Sequence, residues 1–260
     1  MTKNLKLICI FLTFMLLFIV NQLLPNNIRS PQAYTARLLF ICFVTISVIT
    51  IYIIIKTKKL KKKDIFVAIL FGILSGMKSP FMGVTTIVAY IGSSCILKYI
   101  HVNVPIFKDK TFKGIIKSAI IATICGCLLG MINLLLGMKS SNISVSFSIV
   151  HLINALQAGI TEEIAYRLFP FAICVYFLKD NPKTKFQSVL CYFIMTVPHV
   201  LMHFPDMIAT NGIGSIIMSV VVLTLLFGLP FALLLRKRDL FSAIAAHTLV
   251  DVIRFTVLGI

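Results

Sequence analysis

The stretch "QAGITEEIAYRLF", Gln157 to Phe169, sets Glu162, Glu163 and Arg167 in the middle of a long apolar run. A charge at the centre of a bilayer costs roughly 2.5–3.5 kcal/mol or more. The rest of the chain shows that a bilayer is the solvent in question. Of its 260 residues 59% are hydrophobic, and the mean hydropathy is +1.01. A soluble domain is about 45–50% apolar. Several runs reach the roughly 20 residues that cross about 30 Å of hydrocarbon. The short alternating segments of a membrane barrel are not found. The expected fold is all-α: a polytopic transmembrane helical bundle of about eight helices, within seven to nine, around an intramembrane polar cavity.

The apolar runs predict spans at 7–24, 37–55, 118–137, 146–178, 186–204, 213–235 and 240–258. The region 65–100 is too long for one crossing, and Pro80 removes an amide donor within it. It divides into a short, re-entrant helix over 65–77 and a second over 81–98. Glycine pairs one turn apart, Gly72/Gly76 and Gly126/Gly130, permit close helix contact. The whole chain, 1–260, reads as a single transmembrane domain, with accessory helices over 1–140 and a core over 145–258.

Lysine and arginine number 25 against 8 acids, a net charge of +17. In a soluble protein this would point to nucleic acid. Here the basic residues form connectors, of which "KTKKLKKKD" (Lys56 to Asp64) is the densest, so no nucleic-acid partner is expected. With the N-terminus in the cytoplasm, every inner connector is basic: Lys56 to Lys63, Lys98 to Lys117, Lys179 to Lys185 and Arg236 to Arg238. The outer side holds only Arg29, Arg37, Lys78 and Lys139, a distribution that obeys the positive-inside rule. The implied partner is membrane lipid, through anionic headgroups. The N-terminal segment lacks a small-residue cleavage site and reads as a retained first helix. Seven scattered cysteines, without a CxxC pair, read as small buried hydrophobes.

The polar residues inside the spans carry the functional argument. Glu162 and Glu163 are the only glutamates. Glu163 and Arg167, four apart, share a helix face and can pair; that leaves Glu162 unexplained. Thr161 ahead of two acids resembles a helix start, so a break there is a second explanation for the charges. His199 and His203, in "VPHVLMHFP", lie one turn apart. His247 and Asp251, in "AAHTLVD", repeat that spacing in the last span. The least costly arrangement gathers all three sets at one site facing water. A carboxylate among imidazoles can activate a water as general base, with an imidazole stabilising the oxyanion. The same groups (Glu162, His199, His203 and His247) also form a candidate zinc set, in which the metal would acidify its own water. Spacing does not choose between zinc and no cofactor.

"EEIAYR" resembles the E-E-x-x-x-R motif of the CPBP family of CAAX proteases and bacteriocin-processing (Abi) enzymes, intramembrane proteases related to the type II CAAX-prenyl endopeptidase. The family pattern continues with F-x-x-x-H and then H-x-x-x-N/D, whose counterparts stand in order at 199–203 and 247–251. The resemblance covers roughly 145–258. It implies that Glu162 activates water, that Glu163 and Arg167 support it, and that His203, His247 and Asp251 complete the site. One departure is that the aromatic expected four residues before His203 is His199. In a shifted register His199 would be the motif histidine, with Met195 in the aromatic's place. The "FP" after His203 favours His203.

The expected function is therefore an intramembrane endopeptidase acting on a membrane-associated peptide or protein precursor, with bacteriocin or pheromone maturation or self-immunity as the implied settings. The alternatives are a proton-coupled transporter or channel and an inactive membrane scaffold. A transporter would more often show an internal repeat, whereas here the polar residues crowd into the C-terminal part.

Overall fold

The computed structural model describes residues 2–23, 31–137, 145–204 and 212–259, and within them the chain is helical with short connectors. Nine helices follow one another among these residues. They are α1 (Lys3–Leu23), α2 (Pro31–Thr57), α3 (Lys62–Gly76), α4 (Pro80–Ile100), α5 (Phe112–Gly137), α6 (149–178), α7 (Lys185–Leu201), α8 (212–238) and α9 (Leu240–Leu258). Six stretches within them are long and apolar enough to cross a membrane: Lys3–Asn21, Gln32–Thr57, Pro80–Ile100, Phe112–Gly137, Gly214–Arg238 and Leu240–Leu258. The chain is an all-α multi-pass membrane protein. Of the two remaining expected spans, α6 carries too much charge to qualify by composition alone, and α7 has 17 residues, a little short. Helix α3, with 15 residues, is only about 22 Å long. It forms a hairpin with α4 and packs on α6, with its other face, including Phe66 and Ile73, exposed.

The expected span 146–178 is one helix, and the break at Thr161 offered as a second explanation for the charges is absent. Helix α6 runs without interruption as Ile149–Thr161, a widened π-type turn over Glu162–Leu168, and Phe169–Leu178. Pro170 supplies the physical cause. It has no amide hydrogen to donate, and its ring would press on the Tyr166 carbonyl, so the preceding turn opens instead of closing normally. Thr161 caps nothing; its hydroxyl bonds that of Thr86 on α4 at 3.1 Å. A second widened turn, Thr224–Gly228 in α8, likewise lies just ahead of Pro230.

Close packing then fixes α6. Its buried face, including Ile164, Leu168, Phe169 and Phe171, joins the central apolar cluster with α2 and α4. On another side it meets α9, where a methyl group on Gly159 would lie 2.3 Å from Thr248 Oγ1. Helix α5 packs against α9 equally closely, since a Cβ on Gly126 would fall 2.9 Å from the Ala246 carbonyl oxygen. The Gly126/Gly130 pair thus allows the contact it suggested. Leaving aside the α1–α2 end, α5, α7 and α9 each start at a basic connector, and their far ends meet at the other end of the bundle.

Candidate active site

Three helices deliver the polar residues. On α6 the Glu163 carboxylate is fully buried and bonded by Arg167 Nη1 at 2.5 Å. Arg167 is itself 2% exposed, and its guanidinium lies over the Phe231 ring of α8, 5.3 Å from the centroid. Next to this staple, Glu162 keeps 19% of its side chain exposed. The widened turn presents two successive carboxylates toward the same neighbourhood, one buried and one wet. Turns of this type recur at functional sites.

Helix α9 brings His247 between the two glutamates. Its Nδ1 lies 2.7 Å from Glu163 Oε1, and its Nε2 lies 3.4 Å from Glu162 Oε2. Asp251 Oδ2 is 3.7 Å from the same Nε2. The Phe231 ring stacks on the imidazole at 4.5 Å between centroids. A ring held on one face by an aromatic and at Nδ1 by a buried carboxylate has a fixed orientation, with Nε2 toward Glu162.

Helix α7 supplies the remaining imidazoles. His199 Nε2 lies 2.8 Å from Glu162 Oε2, its ring stacked on Tyr166 at 5.5 Å, and it is 5% exposed. His203 lies past the end of α7, in the turn that follows, and is exposed. Its ring meets that of His199 edge-on at 5.1 Å. One donor atom each from Glu162, His199 and His203 fall within 4.8 Å of one another. The sequence favoured His203 over His199 as the second-motif histidine. In the structure His199 makes the direct contact with Glu162, and His203 sits beside it. The reason is that α7 ends at Leu201, so the residue still on the helix points inward. Pro205, which favoured His203, lies outside the described residues, as do Arg29, Lys139 and Asp206.

Glu162, His199 and His203 line two cavities that meet at this carboxylate. One, about 410 Å³, also includes His247, Asp251, Phe231, Asn133 and Arg254. The other, about 210 Å³, runs past Gln157, Thr161 and Tyr166 toward Met82. Tyr166, Phe231, Asn133 and Arg254 went unnoticed in the sequence. For Arg254 a signal existed: it is another charge inside an apolar span, three residues beyond Asp251. The two aromatics carried none, since a ring in an apolar helix looks like core.

The arrangement resembles a hydrolytic site: a wet carboxylate for water, an oriented imidazole beside it, and room for an extended chain on both sides. Residues 144–253 match the family model of the type II CAAX prenyl endopeptidase Rce1-like proteins. No curated protein and no solved structure gives a match.

Proposed function

We propose, from the match over 144–253 to the Rce1-like type II CAAX prenyl endopeptidases, that the chain is an intramembrane protease of this kind and cuts a peptide bond in a membrane-associated peptide or protein precursor by glutamate-activated water. The observation that carries the reading is the position of Glu162: at the junction of two cavities, with Nε2 of His199 at 2.8 Å and Nε2 of His247 at 3.4 Å. Glu162 takes a proton from water as the oxygen attacks the scissile carbonyl. His247, aligned by Glu163, Asp251 and Phe231, acts as the imidazolium: its Nδ1–H is held by Glu163 and its Nε2–H donates to the oxyanion that forms. Glu162 then returns the proton to the leaving amine. His199 holds the Glu162 carboxylate in place. Glu163 and Arg167 act through His247 and are positioning residues. With the N-terminus in the cytoplasm of a cell membrane, a peptide precursor in bacteriocin or pheromone maturation, or in self-immunity, is the substrate this site would meet.

The donor set also fits zinc. Two imidazoles and a carboxylate are a known catalytic combination, and Glu162, His199 and His203 bring one donor atom each within 4.8 Å. These three residues would hold the ion, and His247 would remain free to face the oxyanion. The ion would supply a bound water of lowered pKa.

The test uses purified protein in liposomes with a panel of membrane-active precursor peptides, read by mass spectrometry, with metal content measured on the same samples. Cleavage that disappears in both Glu162→Ala and His247→Ala supports the reading. Cleavage unchanged in either variant overturns the assigned roles. Activity that tracks zinc content and is abolished by chelation selects the metal form, and activity indifferent to both selects the metal-free one.

A further inference from the structure

Gly126 and Gly130 bring α5 against α9, and a groove of about 430 Å³ remains along its other flank, between α5 and α8. The walls of the groove are apolar, with Leu128 and Leu129 on α5 and Pro230, Leu233 and Leu234 on α8. Its mouth is basic, because Lys237 and Arg238 line it in the last widened turn of α8. Arg238 is engaged, with Nη2 donating to Ser118 Oγ at 2.8 Å and to the Gly114 carbonyl at 3.1 Å. Lys237 is exposed, and its ammonium makes no hydrogen bond or ion pair with another described residue. A second ammonium stands beside it, since Lys108 Nζ donates to the Lys237 carbonyl at 3.2 Å. The acids nearby face Arg238 instead: Asp239 lies 3.5 Å from its Nε, and Asp109 is within its electrostatic reach. Behind the groove, Leu129 and Leu234 pack with Phe231, the ring that stacks on His247.

From this coincidence of groove and charge we propose that the α5–α8 seam binds one anionic phospholipid, with an acyl chain in the groove and the phosphate between Lys237 and Lys108. Acyl chains cover any apolar surface in a bilayer, so the walls alone would not prefer one lipid to another. The preference comes from the two ammoniums, each worth about 1 kcal/mol toward an anionic headgroup, or about fivefold. The denser lysine cluster, Lys56 to Lys63, belongs to a connector and attracts anionic lipid as a diffuse field. At Lys237 the charge stands over a slot of defined depth. Seven helical residues separate Lys237 from Pro230, about 10 Å along the axis. That depth takes the first part of a chain hanging beneath its headgroup, in the leaflet at the basic end of the bundle.

The experiment measures lipid contact and needs no turnover. The chain has no tryptophan, so one introduced indole reports its own surroundings. Leu128→Trp places it at the rim of the groove, and Leu233→Trp on the opposite wall. Val48→Trp on α2, where the native side chain is 61% exposed, is the control on an ordinary lipid-facing surface. Each full-length variant is reconstituted in mixed phosphatidylglycerol and phosphatidylcholine bilayers, with one lipid or the other dibrominated in its tails. Quenching of the indole gives the relative binding constant of the two lipids at that point. Phosphatidylglycerol should be favoured about fivefold or more at positions 128 and 233 and close to equally at 48. Adding Lys237→Gln to either groove reporter should bring the ratio near one, and Lys237→Arg should keep it. In a neutral detergent, added phosphatidylglycerol should also raise the thermal midpoint of the wild type more than that of Lys237→Gln, as a ligand of the folded state does. Equal ratios at all three positions overturn the site, and so does a preference that survives Lys237→Gln. Indoles at 128 and 233 that neither lipid quenches, together with cross-linked dimers, also overturn it, because a second copy of the chain then covers the seam.

Discussion

Two regions of the molecule bury carboxylates, and they treat them differently. At the basic end Asp239 is fully buried, and every strong acceptor position is used. Its Oδ1 accepts from the Ser242 amide at 2.8 Å, and its Oδ2 accepts from the Ser118 hydroxyl at 2.7 Å and the Lys108 amide at 3.0 Å. It caps α9 and ties it to α5 and to the preceding connector. Asp64 is similar, accepting from Ser94, from the Lys61 amide and from Lys98. In the candidate active site Glu163 Oε2, Arg167 Nε and His199 Nδ1 are buried without a partner among the described residues. Buried polar atoms are nearly always satisfied, so each exception calls for an explanation. The lesson is that a structural acid in this protein is saturated, whereas the site keeps spare hydrogen-bonding capacity beside a cavity.

That contrast breaks first at Glu162. Replacing it with alanine should lower cleavage about 10²–10⁴-fold, the usual worth of a general base. The thermal midpoint should move little, because its side chain is already partly wet. A large loss of stability with retained activity would make Glu162 another structural acid. The histidines come next. His199→Ala should cost more activity than His203→Ala, because only His199 bonds Glu162 directly. The reverse order, measured as kcat on the same peptide, would return the second-motif role to His203.

Glu163 and Arg167 should show their loss as stability. Removing Glu163 strands Arg167 as a buried, uncompensated charge, at a cost of about 3–5 kcal/mol, and removing Arg167 leaves Glu163 held by His247 alone. The double replacement by alanine should therefore destabilise by clearly less than the sum of the singles in detergent thermal unfolding. A strictly additive result would show that the staple is not coupled. Smaller still is Gly159→Ala. The new methyl would meet Thr248 Oγ1 at 2.3 Å and force α6 from α9, for about 1–3 kcal/mol. Since those helices set the Glu162–His247 spacing, activity should fall as well, and adding Thr248→Ala should recover part of both.

The sequence displays this division unevenly. Helices are legible because nearly every apolar run is long enough to cross a membrane, and the basic connectors mark one end. The grouping of Glu162, His199 and His247 is legible because charge in lipid needs a reason. The length of α6 is legible too, as the apolar run 146–178; the wide turn that houses its acids is not, because Thr161 before two acids looks like a helix start, whereas Pro170 and packing on α4 set the turn. Nor is the identity of the inward histidine, since two residues one turn apart differ only in where α7 stops. Asp239 reads as a loop residue until Ser118, over a hundred positions earlier, is seen to bond it.

The smallest effect tests the saturated end directly. Burial pushes the Asp239 carboxyl up, but the hydrogen bonds it accepts from Ser242, Lys108 and Ser118 outweigh burial and hold it below the ordinary carboxylate range. A group depressed in the folded state stabilises above its unfolded value, near 3.9, and loses that contribution as the pH falls through the lower folded value. The thermal midpoint of the wild type should therefore decline below about pH 4. Asp239→Asn keeps the cap but has no carboxyl to protonate. Near neutral pH it should unfold slightly earlier, by about 1 kcal/mol or less, and its margin below the wild type should shrink as the pH falls below 4. Cleavage per folded molecule should be unchanged, because Asp239 sits at the far end of α9 from the cavities. If instead Asp239→Asn reduced kcat while sparing the midpoint, saturation of hydrogen bonds would no longer separate the two kinds of acid, and the case for Glu162 would rest on the cavities alone.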